Sequence, residues 1–368
     1  MNELLSKANI LIRQNRPLDN PDEIITVFRR NNFLQLTFHS NGCRYSAAGS
    51  CTMCNYGIGK IAKLQDILSE LETICQSKDF KECDMILLGA SGSFLDDQEI
   101  PADYQHKIME RIANSHMQEI HIETHYKSIT IQKLHNIRKI FQNQIITIEM
   151  GLETVTEEFQ ENILNKKIPL SELNSVIKQI HTEKMLTALN VLVGIPFLSE
   201  KEQLAEALKT LRWALNNNAD YVVLFPVNIQ PYSLFEWWHK NNYITEPSLW
   251  MLVYLLLELS DDEMRHVCFA WYGNRCITYS NERKTQTPQA CFVCRPQLIK
   301  FFQKFSSDFN IETRKTYLKQ FLETNFECDC FEKLKNKIKK DTDNFPDLKR
   351  GNLAIEEWMD KYAINGCD

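Results

Sequence analysis

The chain has 368 residues, a formal net charge of −6 and 43% hydrophobic residues. These values suit a globular protein with one large domain plus an accessory region, or with two domains. No run approaches about eighteen apolar residues, and the N-terminus mixes charges with amides, so we expect no membrane span, no secretory signal and a cytoplasmic location. The net charge excludes a basic field over the whole molecule, so any nucleic-acid contact needs a local patch.

After an N-terminal extension (residues 1–30), short β-rich apolar runs alternate with segments whose apolar spacing is near 3.6 residues. The predicted strands are 33–38, 85–90, 119–124, 146–151, 188–195 and 221–227. Repeated β-then-α order predicts a parallel sheet with covering helices. Six units are too few for an eight-unit barrel, so we predict an α/β partial (β/α)6 barrel over residues 31–272. Its chemistry is expected at the carboxyl ends of the strands.

Three of the twelve cysteines follow directly on the first predicted strand, at Cys43, Cys51 and Cys54. Three thiolates in one loop can ligate three irons of a cubane cluster and leave the fourth iron open, since full ligation takes four. The alternative is a structural zinc knuckle whose fourth ligand lies elsewhere. A further five cysteines are scattered and are expected to be buried hydrophobes or inert thiols. They are Cys75, Cys83, Cys268, Cys276 and Cys367.

The segment 40–57 resembles the cluster loop of the radical S-adenosylmethionine (SAM) superfamily, although the commonest spacing there is C-x3-C-x2-C and this loop has C-x7-C-x2-C. Longer first spacers occur in the Elongator-like branch. More specifically, the chain resembles the archaeosine synthase radical subunit family, and the resemblance extends to the paired C-terminal cysteines. The further segments that carry it are 89–101, 150–159, 193–200, 226–230 and 248–256. It implies a radical SAM partial barrel that cleaves SAM at a [4Fe–4S] cluster to a 5'-deoxyadenosyl radical, which abstracts a substrate hydrogen.

Several residues are candidate SAM contacts. Small residues after the second predicted strand permit close approach of a ligand to the backbone, and in the superfamily this position receives the methionine amino and carboxylate groups; a tight turn is the alternative. Carboxylates at strand ends, as at Glu123 and Glu153, can accept hydrogen bonds from the ribose hydroxyls or the ammonium group of SAM. The amide of Asn190 inside a strand needs hydrogen-bond partners if it is buried. The thioether of Met53 can pack over the adenine ring. The candidates are Gly89, Ser91, Gly92, Ser93, Glu123, Glu153, Asn190 and Met53.

Three further polar residues at the same rim are candidate catalytic or substrate contacts. His125 lies two residues after Glu123, and Asn228 and Gln230 follow the last predicted strand. Amides at this rim can hydrogen-bond to the edge of a heterocycle or to an amino-acid head group. The alternatives are a structural histidine and simple loop-capping amides.

The region 273–368 is predicted to be an accessory metal-binding domain. It contains Cys291, Cys294, Cys328 and Cys330, and two distant cysteine pairs are typical of a tetrahedral structural zinc site. An auxiliary [4Fe–4S] cluster also takes four cysteines. We favour zinc, because an accessory domain needs a stabilising metal ion more than another electron carrier.

For the reaction, the family resemblance implies C–N bond cleavage in a lysine-modified deazaguanine of tRNA. This activity requires a partner enzyme that installs the lysine, and the cluster requires an electron donor of the flavodoxin or ferredoxin type. The alternatives are the same chemistry on a small molecule or peptide, and a non-enzymatic zinc-stapled RNA-binding protein. The candidate RNA contacts are the basic runs at 166–167, 314–315 and 334–340.

Overall fold

An open sheet of eight strands, hydrogen-bonded in chain order, forms the centre of the computed structural model, which describes residues 2–14, 16–17, 24–273, 278–280, 283–340 and 348–365. The strands are β1 (Ile25–Arg30), β2 (Phe33–Phe38), β3 (Met85–Ala90), β4 (Glu119–Glu123), β5 (Ile145–Glu153), β6 (Leu186–Val193), β7 (Tyr221–Pro226) and β8 (Val267–Phe269). β1 pairs antiparallel with β2, and β2 to β8 are parallel. The predicted α/β partial barrel and its six strands are confirmed, while β1 and β8 were not predicted.

Helices connect the parallel strands and cover the sheet. They are α1 (Glu3–Arg13), α2 (Arg44–Ala47), α3 (Leu64–Gln76), α4 (Lys78–Lys81), α5 (Ala102–Ala113), α6 (Ile131–Ile140), α7 (Glu157–Asn162), α8 (Leu170–Thr182), α9 (Glu200–Asn216), α10 (Leu234–Lys240), α11 (Trp250–Leu257), α12 (Asp261–Arg265), α13 (Arg295–Ser306), α14 (Ile311–Leu322), α15 (Cys330–Lys340) and α16 (Leu348–Asn365). A small hairpin pairs β9 (Thr278–Ser280) with β10 (Arg283–Lys284). Within the described ranges, no helix is long and apolar enough to span a bilayer.

The two faces of the sheet differ in chemistry because side chains alternate along each strand. In β4, Ile120 and Ile122 are fully buried in the apolar core, whereas His121 and Glu123 lie on the opposite face. Strand register extends this polar face, since Glu123 pairs with Glu149 of β5. One face of the sheet therefore holds the core, and the other offers carboxylates and amides near the carboxyl ends of the strands.

The C-terminal part of the chain packs on the same core as the sheet. Phe302 of α13 is fully buried, lies 4.8 Å from the ring of Phe269 in β8, and belongs to the same apolar cluster as the strand residues. β1, inside the predicted N-terminal extension, pairs with β2 along its whole length. The division of the chain at residues 30 and 272 stays a prediction.

Candidate active site

The three clustered cysteines lie in the loop between β2 and α3, at the carboxyl end of the sheet. Cys43 immediately precedes α2, and Cys51 adopts a left-handed backbone with φ of 57°. The thiols of Cys51 and Cys54 are hydrogen-bonded to each other, and both interact electrostatically with Cys43. All three are half-buried. The loop therefore brings three thiols together at the carboxyl end of the sheet, and their role as cluster ligands stays a prediction.

Different neighbours set the thiol pKa values in this loop. Burial, with the charge of Glu99 and the Cys54 thiol, raises the pKa of Cys43 to about 12. The hydrogen bond from Cys51, assisted by the Arg13 guanidinium, lowers the pKa of Cys54 to about 6. That same hydrogen bond and burial raise the pKa of Cys51. Because the thiolate is the metal ligand, a metal that binds here must displace protons from Cys43 and Cys51.

Helix α1 braces the loop, a contribution the sequence analysis did not predict. The Arg13 side chain donates to loop carbonyls at Ser50 (3.1 Å), Cys51 (2.7 Å) and Cys54 (2.6 Å), and also to the carbonyl of Ser46. One turn earlier, the Asn9 amide donates to the carbonyl of Gly49 at 2.8 Å. The sequence carries one signal for this role: Asn9 and Arg13 lie four residues apart, on the same face of the amphipathic helix as Leu5 and Ala8. This helix lies within the predicted N-terminal extension.

The segment after β3 forms a tight turn against the cysteine loop. A Cβ added at Gly92 would lie 2.6 Å from Cys43 Cβ and 2.6 Å from the Glu99 carboxylate, so this position requires glycine. The Ser93 hydroxyl pairs with the Thr124 hydroxyl at 2.6 Å. Ser91 accepts a long hydrogen bond, 3.5 Å, from a loop backbone N–H. Close packing thus explains the glycine at position 92, and the SAM contacts of Gly89, Ser91, Gly92 and Ser93 stay predictions.

Two carboxylates that the sequence analysis did not identify are Glu99, which is buried, and Glu149, which is half-buried. Glu99 is fully buried, and burial raises its pKa to about 7. On the polar face of the sheet, burial and the neighbouring Glu123 raise the pKa of Glu149 to about 8. Asn190 of β6 hydrogen-bonds to Glu149. Glu99 lies in the segment 89–101, which gave no role to this residue. Glu149 is inside β5, and a carboxylate in a strand is expected to be exposed until the strand is placed in the sheet.

Glu153 occupies a strained position at the end of β5. Its φ is 63°, it is 5% exposed, and its carboxylate accepts from the Lys166 ammonium at 2.6 Å. Although burial opposes the charge, Glu153 and the thiol of Cys51 raise the pKa of Lys166. Lys166 therefore stays charged beside the cysteine loop. Non-glycine residues in the left-handed region are uncommon and cluster at functional sites.

Buried acceptor oxygens at this rim lack hydrogen-bond partners. They are Glu99 Oε1, Glu153 Oε2, Asn190 Oδ1 and Asn228 Oδ1. Native proteins pair most buried polar atoms, so each exception calls for a partner such as a ligand or water. SAM carries an ammonium group and ribose hydroxyls, which donate hydrogen bonds, and the thiol set suits iron. The residues present therefore fit both groups.

The predicted catalytic residues have structural partners. The His125 ring stacks between Tyr45 (4.2 Å) and Tyr126 (4.8 Å), and burial with nearby cations lowers its pKa to about 3, so it is neutral near pH 7. The Asn228 amide donates to the carbonyls of Pro226 and Trp271 at 2.9 Å. These contacts match the structural alternatives, and catalytic roles for His125 and Asn228 stay predictions.

Gln230 and Met53 also make contacts within the protein. The Gln230 amide oxygen accepts from the Thr285 hydroxyl at 3.2 Å, which ties the loop after β7 to the segment after β10. Met53 is half-buried and packs on a second apolar cluster that includes Trp238. Substrate contact by Gln230 and adenine contact by Met53 therefore stay predictions.

The four C-terminal cysteines converge on one point, as the sequence predicted. The sulfurs of Cys291, Cys294, Cys328 and Cys330 all lie within 4.8 Å of one another. The Trp250 indole donates to the Cys294 sulfur at 3.3 Å, and Phe331 stacks on the same indole at 4.8 Å. Hydrogen bonds from Cys294 lower the pKa of Cys291 to about 6. This group can hold a metal ion.

Among the scattered cysteines, Cys83 is buried, and Cys75 and Cys268 are half-buried. Burial raises the pKa of all three thiols, as expected for inert cysteines. The other two, Cys276 and Cys367, lie outside the described residues.

The basic runs are mostly neutralised. Arg314 is fully buried and donates to backbone carbonyls, and the Lys166 ammonium forms an ion pair with Glu153. Lys315 pairs with Asp261, and Lys337 pairs with Glu200. Full burial argues against Arg314 as an RNA contact. RNA contacts at 166–167, Lys315 and 334–340 stay predictions.

Known proteins resemble the chain at low identity. No protein-family model matches it. Archaeosine synthase subunit beta of Methanosarcina acetivorans is 25% identical over 61% of this chain and 65% of its own length, and that of Thermococcus kodakarensis is 25% identical over 59% and 68%. An uncharacterized protein of Methanocaldococcus jannaschii is 24% identical over 65% and 67%. The chain thus spans about two thirds of these relatives, and the predicted resemblance to the archaeosine synthase family is confirmed.

Solved structures with related backbones include several radical SAM enzymes. Methylornithine synthase matches 90% of this chain and 90% of its own at 12% identity and a TM-score of 0.46. Elp3 of Methanocaldococcus infernus matches 66% and 58% at 10% identity and a TM-score of 0.45. These scores describe a loose likeness of the backbone.

Proposed function

We propose that the chain is a radical SAM enzyme whose [4Fe–4S] cluster is held by Cys43, Cys51 and Cys54. The observation that carries the proposal is three thiols gathered at the carboxyl end of a parallel sheet, beside buried acceptor oxygens without partners. Three thiols leave one iron open to a chelating ligand. The relatives named archaeosine synthase subunit beta support the same assignment.

The protein's own part is to position and shield the reactants. When bound, the cluster and SAM supply one-electron cleavage of a sulfur–carbon bond and a 5'-deoxyadenosyl radical that abstracts hydrogen. Asn190 Oδ1 and Glu153 Oε2 offer acceptors for the donors of SAM, and Lys166 holds Glu153 in place. The loop and the turn at Gly92 pack against each other at Cys43, which limits access of water.

Anaerobic reconstitution with iron and sulfide tests this proposal. We expect about four irons per chain, absorption near 400 nm and, with dithionite and SAM, formation of 5'-deoxyadenosine. The Glu153→Gln variant keeps its shape but loses one charge, so we expect it to retain iron and to weaken SAM binding. A reconstituted protein that holds iron yet never cleaves SAM would contradict the enzymatic assignment.

For the substrate, we propose C–N bond cleavage in a lysine-modified deazaguanine of tRNA, with a partner enzyme that installs the lysine and a flavodoxin- or ferredoxin-type electron donor. A cleft of about 750 Å³ beside the cluster loop supports an RNA substrate. Arg44, Tyr45, Tyr126 and Lys127 are among its lining residues, and cations with aromatic rings are typical of single-stranded RNA contacts. Lys127 is exposed.

The alternative substrate is a small molecule or peptide, favoured by the net charge of −6 and the paired basic runs. Salt-dependent binding of tRNA, with and without the partner, separates the two. For a tRNA substrate, Lys127→Glu weakens binding and leaves uncoupled SAM cleavage intact, while Lys139→Glu on the remote end of α6 serves as a control. Equal binding by both variants would favour the metabolite.

We further propose that Cys291, Cys294, Cys328 and Cys330 bind zinc. A tetrahedral ion with bonds of about 2.3 Å sets its sulfurs about 3.8 Å apart. The Cys291 and Cys294 sulfurs lie 3.5 Å apart, and all four are within 4.8 Å. Ligands on four corners of a cubane lie farther apart, because each sulfur extends outward from a different iron. The compact group therefore favours one mononuclear ion over an auxiliary cluster.

A further inference from the structure

A buried arginine of helix α1 makes several hydrogen bonds to the cysteine loop. Arg13 is 4% exposed, and its two terminal nitrogens donate to carbonyls on both sides of the loop. One nitrogen contacts Ser46 and Ser50, and the other contacts Ser50, Cys51 and Cys54. The guanidinium therefore joins the backbone that follows Cys43 to the backbone of the other two cysteines.

Such convergence needs a cation with several fixed donors. Carbonyl oxygens that point at a common centre repel one another, and a planar guanidinium with five N–H groups can satisfy them together. Charged donors also make stronger hydrogen bonds than neutral ones. A lysine carries the same charge but only three donors on one atom, so it cannot reproduce the contacts of two nitrogens.

Other contacts hold α1 in register with the loop. The Asn165 amide, from the segment after α7, donates to the Ser6 hydroxyl at 2.9 Å and to the carbonyl of Gly49 at 3.0 Å. The backbone carbonyl of Asn165 accepts from the backbone N–H of Cys51 at 3.2 Å. A Cβ added at Gly49 would lie 2.4 Å from the Ser6 carbonyl. Arg13 is thus the central contact of a close packing between helix and loop.

We infer that Arg13 is a positioning residue for the metal centre: it fixes the spacing of the three cysteines and places a permanent positive charge beside the cluster they hold. The inference rests on the proposed function. It assigns residues 3–13 to the active-site scaffold, which the sequence motifs do not indicate. A positive charge favours the reduced, more negative cluster, so Arg13 raises the reduction potential.

The test compares Arg13→Gln, Arg13→Lys and a matched control, Arg314→Gln. Arg314 is also a fully buried arginine that donates to backbone carbonyls, of Met264, Arg265 and Asp308, in a different part of the chain. Iron affinity, the electron paramagnetic resonance spectrum and the midpoint potential are measured on reconstituted protein. Circular dichroism and metal content at the C-terminal cysteines show that each variant is folded.

For Arg13→Gln we expect iron affinity to fall by roughly 10- to 100-fold, as for other residues that orient metal ligands, and the potential to become more negative. Arg13→Lys should restore the potential but only part of the iron affinity. Arg314→Gln should lower thermal stability and change neither cluster property. If Arg13→Gln and Arg314→Gln behave alike while the wild type holds its cluster, the inference fails alone. A wild type that assembles no cluster overturns the proposed function instead.

Discussion

The two cysteine groups of this chain are built in opposite ways. The triplet at Cys43, Cys51 and Cys54 lies in a loop that is held in place by hydrogen bonds from Arg13 of helix α1. The C-terminal four are closed upon themselves, with Cys294 at the start of α13 and Cys330 at the start of α15. An open ligand set next to unsatisfied acceptors suits chemistry, and a closed set among aromatic rings suits structure. Removing each group should therefore have different consequences.

The largest effect is expected from replacing Cys43, Cys51 and Cys54 together by alanine. Formation of 5'-deoxyadenosine should be abolished and about four irons per chain should be lost, because no other thiol lies in the loop. Iron content and product formation are measured on the same anaerobic preparation. The C-terminal group should keep about one zinc in this variant. Retention of iron and of SAM cleavage would remove the distinction between the two groups.

The converse variant, Cys291→Ser, should lose zinc and destabilise the fold by several kcal/mol, because the binding energy of a structural metal is also folding energy. The loop triplet should still assemble its cluster in whatever fraction stays folded. Thermal unfolding and metal analysis provide the measurement, and Cys75→Ser, a half-buried cysteine outside both groups, is the control. Iron and sulfide at the C-terminal group after reconstitution of the triple variant would show that it holds a second cluster.

A smaller change, Trp250→Phe, probes the closed group without removing a ligand. Phenylalanine keeps the ring contacts with Phe326 and Phe331 but loses the indole N–H that donates to Cys294. We expect zinc affinity to fall by roughly tenfold, measured by competition with a chelator. Tyr254→Phe, which alters a neighbouring ring without touching a sulfur, should leave affinity unchanged. Equal affinities in both variants would mean that the indole hydrogen bond does not tune the metal.

The comparison also shows what sequence can and cannot provide. Short spacing predicted both cysteine groups, because chain connectivity alone brings Cys51 to Cys54 and Cys291 to Cys294. The β-then-α order likewise predicted the six central strands. Arg13 and Glu149 escaped notice, since their roles depend on helix α1 docking against the loop and on strand register. Arg314 was included among the candidate RNA contacts for the same reason, because burial is a tertiary property that the sequence does not show.

The smallest predicted effect concerns Glu149, a half-buried acid on the polar face of the sheet. The pKa of Glu149 is raised to about 8 by burial and by Glu123, from an ordinary value of 4.5, so the folded state holds the proton that the unfolded state releases. Between about pH 4.5 and pH 8 the folded protein therefore binds more protons, and its free energy of unfolding falls as the pH rises. Glu149→Gln should flatten this slope in urea unfolding experiments, whereas Glu312→Gln, at the exposed start of α14, should preserve it. If Glu149→Gln leaves the dependence of the unfolding free energy on pH unchanged, Glu149 is ionised over this whole pH range. A positive charge near the cysteine triplet would then have to stabilise it.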